Sequence, residues 1–264
     1  MRTRKIFIIF FLLMFSVNAQ VLAGEGLTGR EIIEKMETVT SVKDMQAEMV
    51  MRIIHRSGKE RIRELKTASS ENDAGVEKSL IRFLSPADVR GTGFLSIDRP
   101  NGADEQYLYL PALGKPRRLS SEERGGSFMG SDLSYEDLSP TIDDYTYTLI
   151  STEEIGGKEV YVVESQPVSA KVRSDVGFAQ KIYWIRKDIM TLIKAEFADS
   201  SGTVIKLMEV SQIKQIEGKF WLGTKIDIKD LEDGSRTVLE YRNIEINSGL
   251  TDNYFTIRQL TRPL

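Results

Sequence analysis

Apolar and polar residues alternate with a period of two along most of the chain. In the segment 220–231, for example, Ile226 and Ile228 fall on one side, whereas Lys225 and Asp227 fall on the other. This alternation predicts β-strands with one buried and one solvated face. Glycine-rich turn signals separate the segments, which favours an antiparallel meander. The predicted strands form a hairpin over 45–69 and continue at 77–85, 93–99, 105–111, 147–152, 158–167, 179–187, 191–199, 203–216, 220–231 and 236–246.

Two regions depart from this period. Residues 29–40 carry apolar side chains at helical spacing, and Thr28 and Glu31 form the Thr-x-x-Glu pattern of a capping box, so a helix is predicted there. Residues 111–145 are irregular. Besides the helix, short helical pieces are expected near 86–90 and 120–138.

The sheet and the few helices together predict one domain. A twisted antiparallel sheet of this many strands curls, and its apolar concave face has to be filled. Because helices are scarce, the curled sheet encloses either a closed β-core or a cavity. We predict a mainly β fold of the α+β class, in which residues 24–264 form a single domain.

The N-terminal residues have the features of a secretory signal peptide. A basic group precedes ten apolar residues at 6–15, and small or aliphatic residues occupy the −3 and −1 positions of two candidate cleavage sites. We predict that residues 1–23 are removed, with cleavage after Ala23 or, alternatively, after Ala19. An uncleaved membrane anchor is another alternative, but the apolar run is shorter than the roughly 20 residues that span a bilayer. We therefore expect export to the periplasm and a mature chain that does not span a membrane.

The amino-acid composition argues against several kinds of functional site and partner. Cysteine is absent and His55 is the single histidine, so neither a disulfide nor a thiolate site can form. The formal net charge is −3 and becomes more negative once the basic leader is removed. An acidic chain argues against a nucleic-acid partner, because such binding needs a basic surface.

The segment FMGSDLSYEDL, residues 128–138, concentrates acids and hydroxyls in the manner of an active site. The single histidine and the absence of a Gly-x-Ser-x-Gly sequence leave these groups without catalytic partners. A calcium site is an alternative, but the EF-hand spacing is missing, and capping explains the acids more simply. We predict no catalytic residue, metal or cofactor. The acids considered for calcium are Glu136, Asp137, Asp143 and Asp144.

Apolar residues in the same segment suit a lid. Phe128, Met129 and Leu133 would cover an apolar cavity beside a curled sheet. Arg117 and Arg118 belong to a small basic cluster just before this segment. That cluster forms either a solvated hairpin or a contact for an anionic head group.

Several stretches resemble one known family. They are RGTGFLSID at 90–98, QYLYLPALGKPRRLSSEERGGSFMGSDLSYEDL at 106–138, KIYWIRKD at 181–188, WLGTKIDIKDLEDGSRTVLEY at 221–241 and LTDNYFTIRQL at 250–260. These stretches are similar to the outer membrane lipoprotein-sorting protein family, the LolA-like group of the LolA/LolB superfamily. The resemblance implies an unclosed β-barrel of about eleven antiparallel strands, with a few helices as a lid over a hydrophobic cavity.

The resemblance and the strand alternation together select candidate ligand-binding residues. A register error of one residue would invert the choice on any strand. The family's lid-gating arginine matches no single position here, and Arg90 and Arg118 are candidates by proximity. Head-group contact is assigned to Arg90, Arg117 and Arg118. The candidate cavity residues are Phe94, Leu108, Leu110, Phe128, Met129, Leu133, Trp184, Phe197 and Ile226.

Two functions compete on this basis. The first, implied by the resemblance, is a monomeric periplasmic carrier that shields the acyl chains of a lipid or acylated lipoprotein on the way to the outer membrane. The second is a non-carrier accessory or docking module of an RND/MMPL-type inner-membrane exporter, because proteins of this subgroup often accompany such exporters. An enzyme is a third class, for which the sequence offers no catalytic residues.

Overall fold

The computed structural model describes residues 26–40, 42–99, 104–218 and 220–264, so the predicted signal peptide at 1–23 lies outside the described residues. Within them are thirteen β-strands, four α-helices and four short 3₁₀ helices. The helices are α1 (Gly29–Thr40), α2 (Tyr135–Leu138), α3 (Ala170–Val176) and α4 (Ile257–Leu260). The strands are β1 (Asp44–Ile54), β2 (Glu60–Glu71), β3 (Glu77–Ser85), β4 (Gly93–Asp98), β5 (Glu105–Tyr109), β6 (Pro116–Arg118), β7 (Tyr145–Ile155), β8 (Lys158–Pro167), β9 (Gln180–Arg186), β10 (Thr191–Ala198), β11 (Val204–Ile216), β12 (Phe220–Asp230) and β13 (Arg236–Ile246).

All thirteen strands belong to one sheet, in the order β6-β5-β4-β3-β2-β1-β13-β12-β11-β10-β9-β8-β7. Every neighbouring pair is antiparallel, and β1 pairs with β13 to join the two halves of the meander. In the described part of the chain, β6 and β7 form the two edges of the sheet. The predicted unclosed antiparallel sheet is confirmed, with more strands than the resemblance implies.

Some elements were not predicted from the sequence. Strand β6 has three residues and begins with a proline, so it is too short to show alternation. Helix α3 follows the N-cap Ser169 and ends at Gly177, which has a φ of 80°. Its seven residues make two turns at most, which is too few for a clear helical period. The helical piece expected near 86–90 is instead a series of turns.

Helix α1 has the predicted bounds and packs against the concave face near β7. The backbone N–H of Thr28 donates to Glu31 at 2.7 Å, and the N–H of Glu31 donates to the Thr28 hydroxyl at 3.2 Å, which is the predicted capping box. A Cβ atom on Gly29 would lie 2.7 Å from the backbone nitrogen of Thr148. Glycine is therefore required for the close approach of this helix to β7.

Three connected apolar clusters cover the concave face. The first, the central core, includes Met51, Leu65, Phe83, Phe94, Leu108, Phe128 and Ile228. The second, the α3 core, contains Tyr145, Val176, Phe178, Ala195 and Phe197. The third, the α1 core, contains Ile32, Ile33, Val163, Ile185 and Met190. Met208 packs against both the central core and the α3 core, and Tyr147 and Tyr183 pack against both the α3 core and the α1 core.

The C-terminal residues cover the opposite, convex face of β2 to β5. Phe255 and Leu260 pack there with Leu80 and Leu95, which alternate with the concave residues of the same strands. Arg82 donates to the backbone carbonyls of two residues near the C-terminus, at 2.6 Å in each case. The convex face of these four strands is thus covered by the C-terminal residues.

Candidate functional site

Residues 119–138, called the plug segment below, run across the concave face between β6 and β7. Phe128 has no solvent exposure and stands in the middle of the central core. Its ring centroid lies 5.7 Å from that of Phe83, 5.8 Å from Phe94 and 5.6 Å from Tyr135. Phe128 therefore fills the space that the curled sheet would otherwise leave open.

A tight loop presents Phe128 to the sheet. The backbone N–H of Phe128 donates to Leu133 O at 2.7 Å, and the Ser131 hydroxyl donates to Phe128 O at 2.7 Å. Met129 and Gly130 follow with φ values of 54° and 75°. This left-handed pair turns the chain back immediately after Phe128, so that the aromatic side chain projects as a wedge.

Arg63 holds the loop from inside the barrel. Its Nη1 donates to the backbone carbonyl of Met129 at 2.5 Å, and its guanidinium carbon lies 5.7 Å from the Phe83 ring centroid. Burial lowers the pKa of Arg63 and the carboxylate of Asp88 opposes this shift, yet an arginine remains charged at any physiological pH. The sequence did not single out Arg63, because one charge on an otherwise alternating strand looks like a solvated residue.

Asp132 ties the tip of the plug segment to β13. Its carboxylate accepts hydrogen bonds from Ser235 and, at 2.6 Å, from the fully buried Thr237. Its backbone N–H also donates to the Thr237 hydroxyl at 3.0 Å.

Glu136 is a fully buried acid at the start of α2. Its carboxylate lies 2.6 Å from Nη2 of Arg124 and accepts a hydrogen bond from the Tyr145 hydroxyl at 2.7 Å. Burial raises the pKa of Glu136, and the positive charge of Arg124 opposes that rise. Glu136 is thus paired with an arginine of the plug segment and links that segment to β7.

Asp137 pairs with two lysines from distant strands. Lys206 lies 2.7 Å from its carboxylate and Lys181 lies 3.9 Å away. Burial by itself would raise the pKa of Asp137, but the two ammonium groups outweigh that effect and hold the pKa below its ordinary value. No local pattern in the sequence points to either partner, since the lysines lie on β9 and β11, far from residue 137 in the chain.

Lys181 sits in an aromatic cage. Its ammonium group is 4.4 Å from the ring centroid of Phe178, 4.9 Å from Phe197 and 5.4 Å from Tyr145. Burial lowers the pKa of Lys181, and the charge of Asp137 opposes this shift. Lys181 is two residues from Tyr183, so the two side chains lie on the same face of the strand. This spacing is the sequence signal that would have identified Lys181 as an inward residue.

Most of the predicted cavity residues lie on the concave face. Phe197 belongs to the α3 core. Trp184 is the predicted cavity residue that does not lie on the concave face. Tyr183 and Ile185 point inward instead, so the choice on β9 was wrong by one residue. The Trp184 indole lies on the convex side, where it donates to Glu153 at 3.2 Å. The central core contains or is packed by Phe94, Leu108, Leu110, Phe128, Met129, Leu133 and Ile226.

The three arginines assigned to head-group contact do not converge on one point. Arg90 is exposed in the turn after β3. Arg117 lies 2.5 Å from Glu123, and Arg118 donates to the backbone carbonyl of Asp104 at 3.1 Å.

Open space lies beside the plug segment. A cleft of about 650 Å³ is lined by this segment, by α3, by the start of β11, by the turn between β12 and β13 and by His55. Another cavity, of about 500 Å³, lies next to β5 and the first turn of the plug segment.

Two further findings concern metals and membranes. Among the residues with described positions, no group of three or more His, Asp or Glu side chains is arranged to hold a metal ion. Of the helices described, none has the length and apolar character needed to cross a membrane.

Known proteins share this architecture. A family model described only as an uncharacterized protein matches residues 75–262, and a comparison with curated proteins found no match. A domain from Vibrio parahaemolyticus, described as an outer membrane lipoprotein-sorting protein, is 31% identical with a TM-score of 0.81, over 89% of this chain and 98% of that one. A DUF1329 family protein from Desulfovibrio piger is 32% identical with a TM-score of 0.80, over 88% and 97% of the two chains.

A more distant structure extends the same relationship. A LolA superfamily protein from Nitrosomonas europaea has a TM-score of 0.66 at 21% identity, over 88% of this chain and 98% of that one, and so shares the fold. The two structures above 30% identity decide the family. The chain belongs to the family of outer membrane lipoprotein-sorting proteins that includes the domain from Vibrio parahaemolyticus and the DUF1329 protein from Desulfovibrio piger.

Proposed function

We propose that the mature protein is a periplasmic carrier that shields the acyl chains of a lipid or an acylated lipoprotein, without a catalytic step. One observation carries this proposal. The apolar concave face is closed by the wedge of Phe128, on a loop held by separate polar contacts rather than by strand pairing. An acyl chain enters the central core as Phe128 withdraws.

The free energy of burying an acyl chain is sufficient to displace the ring. Burying a phenylalanine side chain contributes about 1.5–3 kcal/mol. Each methylene of an acyl chain contributes about 0.8 kcal/mol, so a few methylenes offset the loss of the ring. A carrier has to release its cargo as well as bind it, and the return of the ring to the core lowers the net cost of release.

Two further observations support export and cargo. The N-terminal sequence has the features of a cleaved signal peptide, which would deliver the mature chain to the periplasm. The similar domain from Vibrio parahaemolyticus carries the description of an outer membrane lipoprotein-sorting protein. The cargo's destination in this proposal is accordingly the outer membrane.

A second candidate is a docking module for an RND/MMPL-type exporter in the inner membrane. The observation in its favour is that the described central core is already filled by the chain's own side chains, with Phe128 in contact with three other rings. A module of this kind would keep the plug segment in place permanently.

Locking the plug segment distinguishes the two candidates. The chain has no cysteine, so Asp132→Cys with Ser235→Cys places the only thiol pair where the two native side chains already touch. The delipidated mature protein is titrated with a fluorescent fatty acid before and after oxidation of this pair.

The carrier proposal expects the reduced variant to bind the probe and the oxidised variant to lose binding by at least about tenfold, because a locked segment cannot withdraw. Reduction restores binding in the same sample and serves as the internal control. Wild-type protein that does not bind the probe, and carries no lipid when purified from periplasm, would leave the docking module as the better account.

A further inference from the structure

The concave face changes from apolar to polar along β4 and β5. Phe94 pairs with Leu108 in the central core, and the next concave pair along the two strands is Ser96 with Gln106. Gln106 is two residues from Leu108, a separation of about 7 Å. A polar site therefore adjoins the apolar core on the same face of the sheet.

The cavity of about 500 Å³ opens at this polar end. Gln106 and Leu119 line it, and Leu119 also belongs to the central core. The cavity and the core are thus in contact through one side chain. The remaining lining residues are Asp104, Arg118, Ser120, Ser121 and Arg124.

Two buried polar atoms among the lining residues lack a partner in the described part of the chain. Gln106 is 5% exposed, and its Oε1 accepts no hydrogen bond. Nε of Arg124 donates none, although the other two guanidinium nitrogens bind Glu136 and Asp144. Buried groups of this kind are costly unless a partner satisfies them. One of the two atoms needs a donor and the other needs an acceptor.

The charges around the cavity decide the class of partner. Arg124 is already matched by the carboxylates of Glu136 and Asp144, and the negative charge of Asp104 offsets the positive charge of Arg118 in the lining. A bound anion would face these acids, and a cation has no lone pair to offer to Nε of Arg124. A hydroxyl group both donates and accepts, so it satisfies Gln106 and Arg124 without adding charge.

We propose that this cavity binds a neutral polyhydroxyl group, a glycerol or a sugar, as the head of an amphiphile whose acyl chain lies in the central core. The proposal rests on the proposed carrier function for the tail, and it adds a specific site for the head. Gln106 and Arg124 act as the specificity residues of that site.

Calorimetric titration of the delipidated mature protein tests it with three probes. These are 1-decanoyl-glycerol, methyl decanoate and glycerol alone, so the tail is constant in the first two and absent in the third. The variant is Gln106→Met, which keeps the length of the side chain and removes the amide. The matched control is Gln166→Met on β8, where the glutamine is exposed.

The expected wild-type result is binding of 1-decanoyl-glycerol about tenfold tighter than of methyl decanoate, as one or two net hydrogen bonds give. Gln106→Met should reduce this preference to less than about threefold and leave the affinity for methyl decanoate unchanged. Gln166→Met should behave as wild type. Binding of glycerol alone that depends on Gln106 would also support the site, with a free polyol as its ligand.

Equal wild-type affinity for the two esters would overturn the polyhydroxyl site while leaving the carrier proposal intact. A preference that survives in Gln106→Met would overturn it as well. Failure of both esters to bind the wild type would overturn the carrier proposal, and this site with it. The wild-type comparison decides the question even if the Gln106 variant does not fold.

Discussion

Arg63 donates a hydrogen bond to the backbone carbonyl of Met129 at 2.5 Å, from a side chain that is only 6% exposed. Met129 directly follows Phe128, whose ring fills the central core. The sheet therefore holds the plug segment from inside, through one charged side chain placed beside the wedge. Any ligand that enters the core has to displace this contact or pass beside it.

Removing that contact should loosen the plug segment. Arg63→Met keeps most of the apolar stem but leaves the Met129 carbonyl without its charged donor, a loss of about 1.5–3 kcal/mol. We expect lower resistance to urea and faster amide exchange over residues 127–134. The control is Arg61→Met on the same strand, where the side chain is exposed and little change is expected. Unchanged exchange in the Arg63 variant would show that the loop is held by its own turn.

Phe128 should compete with apolar ligands for the same space. Phe128→Ala removes a fully buried ring and should cost about 3–5 kcal/mol in unfolding free energy. If the ring is a wedge, the same variant should bind a fluorescent fatty acid more tightly than wild type, because the competitor is gone. Phe128→Leu, which keeps most of the volume, should fall between the two. Weaker probe binding in a folded Phe128→Ala protein would contradict the exchange model.

Local periodicity accounted for most of the sheet. The alternation of Ile226 and Ile228 against Lys225 and Asp227 marked β12 correctly, since one face of that strand is buried. The same reasoning inverted β9, where Lys181, Tyr183 and Ile185 point inward and Trp184 points outward. The large side chain of Trp184 suggested that its side of the strand was buried, and the charge of Lys181 suggested that the other side was exposed. Lys181 is nevertheless buried, because aromatic rings surround its ammonium group.

Polar contacts between residues far apart in the chain could not be predicted from the sequence. The bonds from Arg63 to Met129 and from Lys206 to Asp137 join residues that are 66 and 69 positions apart. A single sequence carries no information about such pairs unless the register of every intervening strand is known. The acids of the plug segment therefore seemed to lack lysine partners, although the choice of Phe128 as an apolar lid residue needed only local information.

Glu37 on α1 should make the fold more stable in mild acid. Burial, with the nearby carboxylates of Glu77 and Glu34, raises the pKa of Glu37 from its ordinary 4.5 to about 7. A raised carboxyl pKa means that the folded state binds the proton more tightly, so this contribution to stability falls as pH rises from 4.5 to 7.

We therefore expect Glu37→Gln to stabilise the protein by about 1–2 kcal/mol above pH 7, with no gain below pH 4.5. Urea unfolding between pH 4 and pH 8 measures this difference. Glu154→Gln on β7, where the side chain is exposed, should show no such trend. A gain that is constant with pH would show that the glutamine acts through helix propensity instead.

The contributions of the neighbouring residues Glu136 and Asp137 to the stability of the fold should change in opposite directions as pH falls. Burial raises the pKa of Glu136, so its contribution to stability increases as pH falls toward the ordinary 4.5. Lys206 and Lys181 outweigh burial at Asp137 and hold its pKa below 3.8, so its contribution is present above that pH and is lost as pH falls through the folded pKa.

Two variants separate these effects by urea unfolding from pH 7 to pH 2.5. Asp137→Asn leaves two buried ammonium groups without their carboxylate and should cost about 3–5 kcal/mol at pH 7. Its deficit relative to wild type should shrink below pH 3.8, where wild type also loses the charge. The advantage of wild type over Glu136→Gln should instead grow as pH falls from neutral, because only the wild type can gain a proton at that position. If both deficits shrank together, the two acids would titrate as one unit and the separate pairing of Asp137 with the lysines would be wrong.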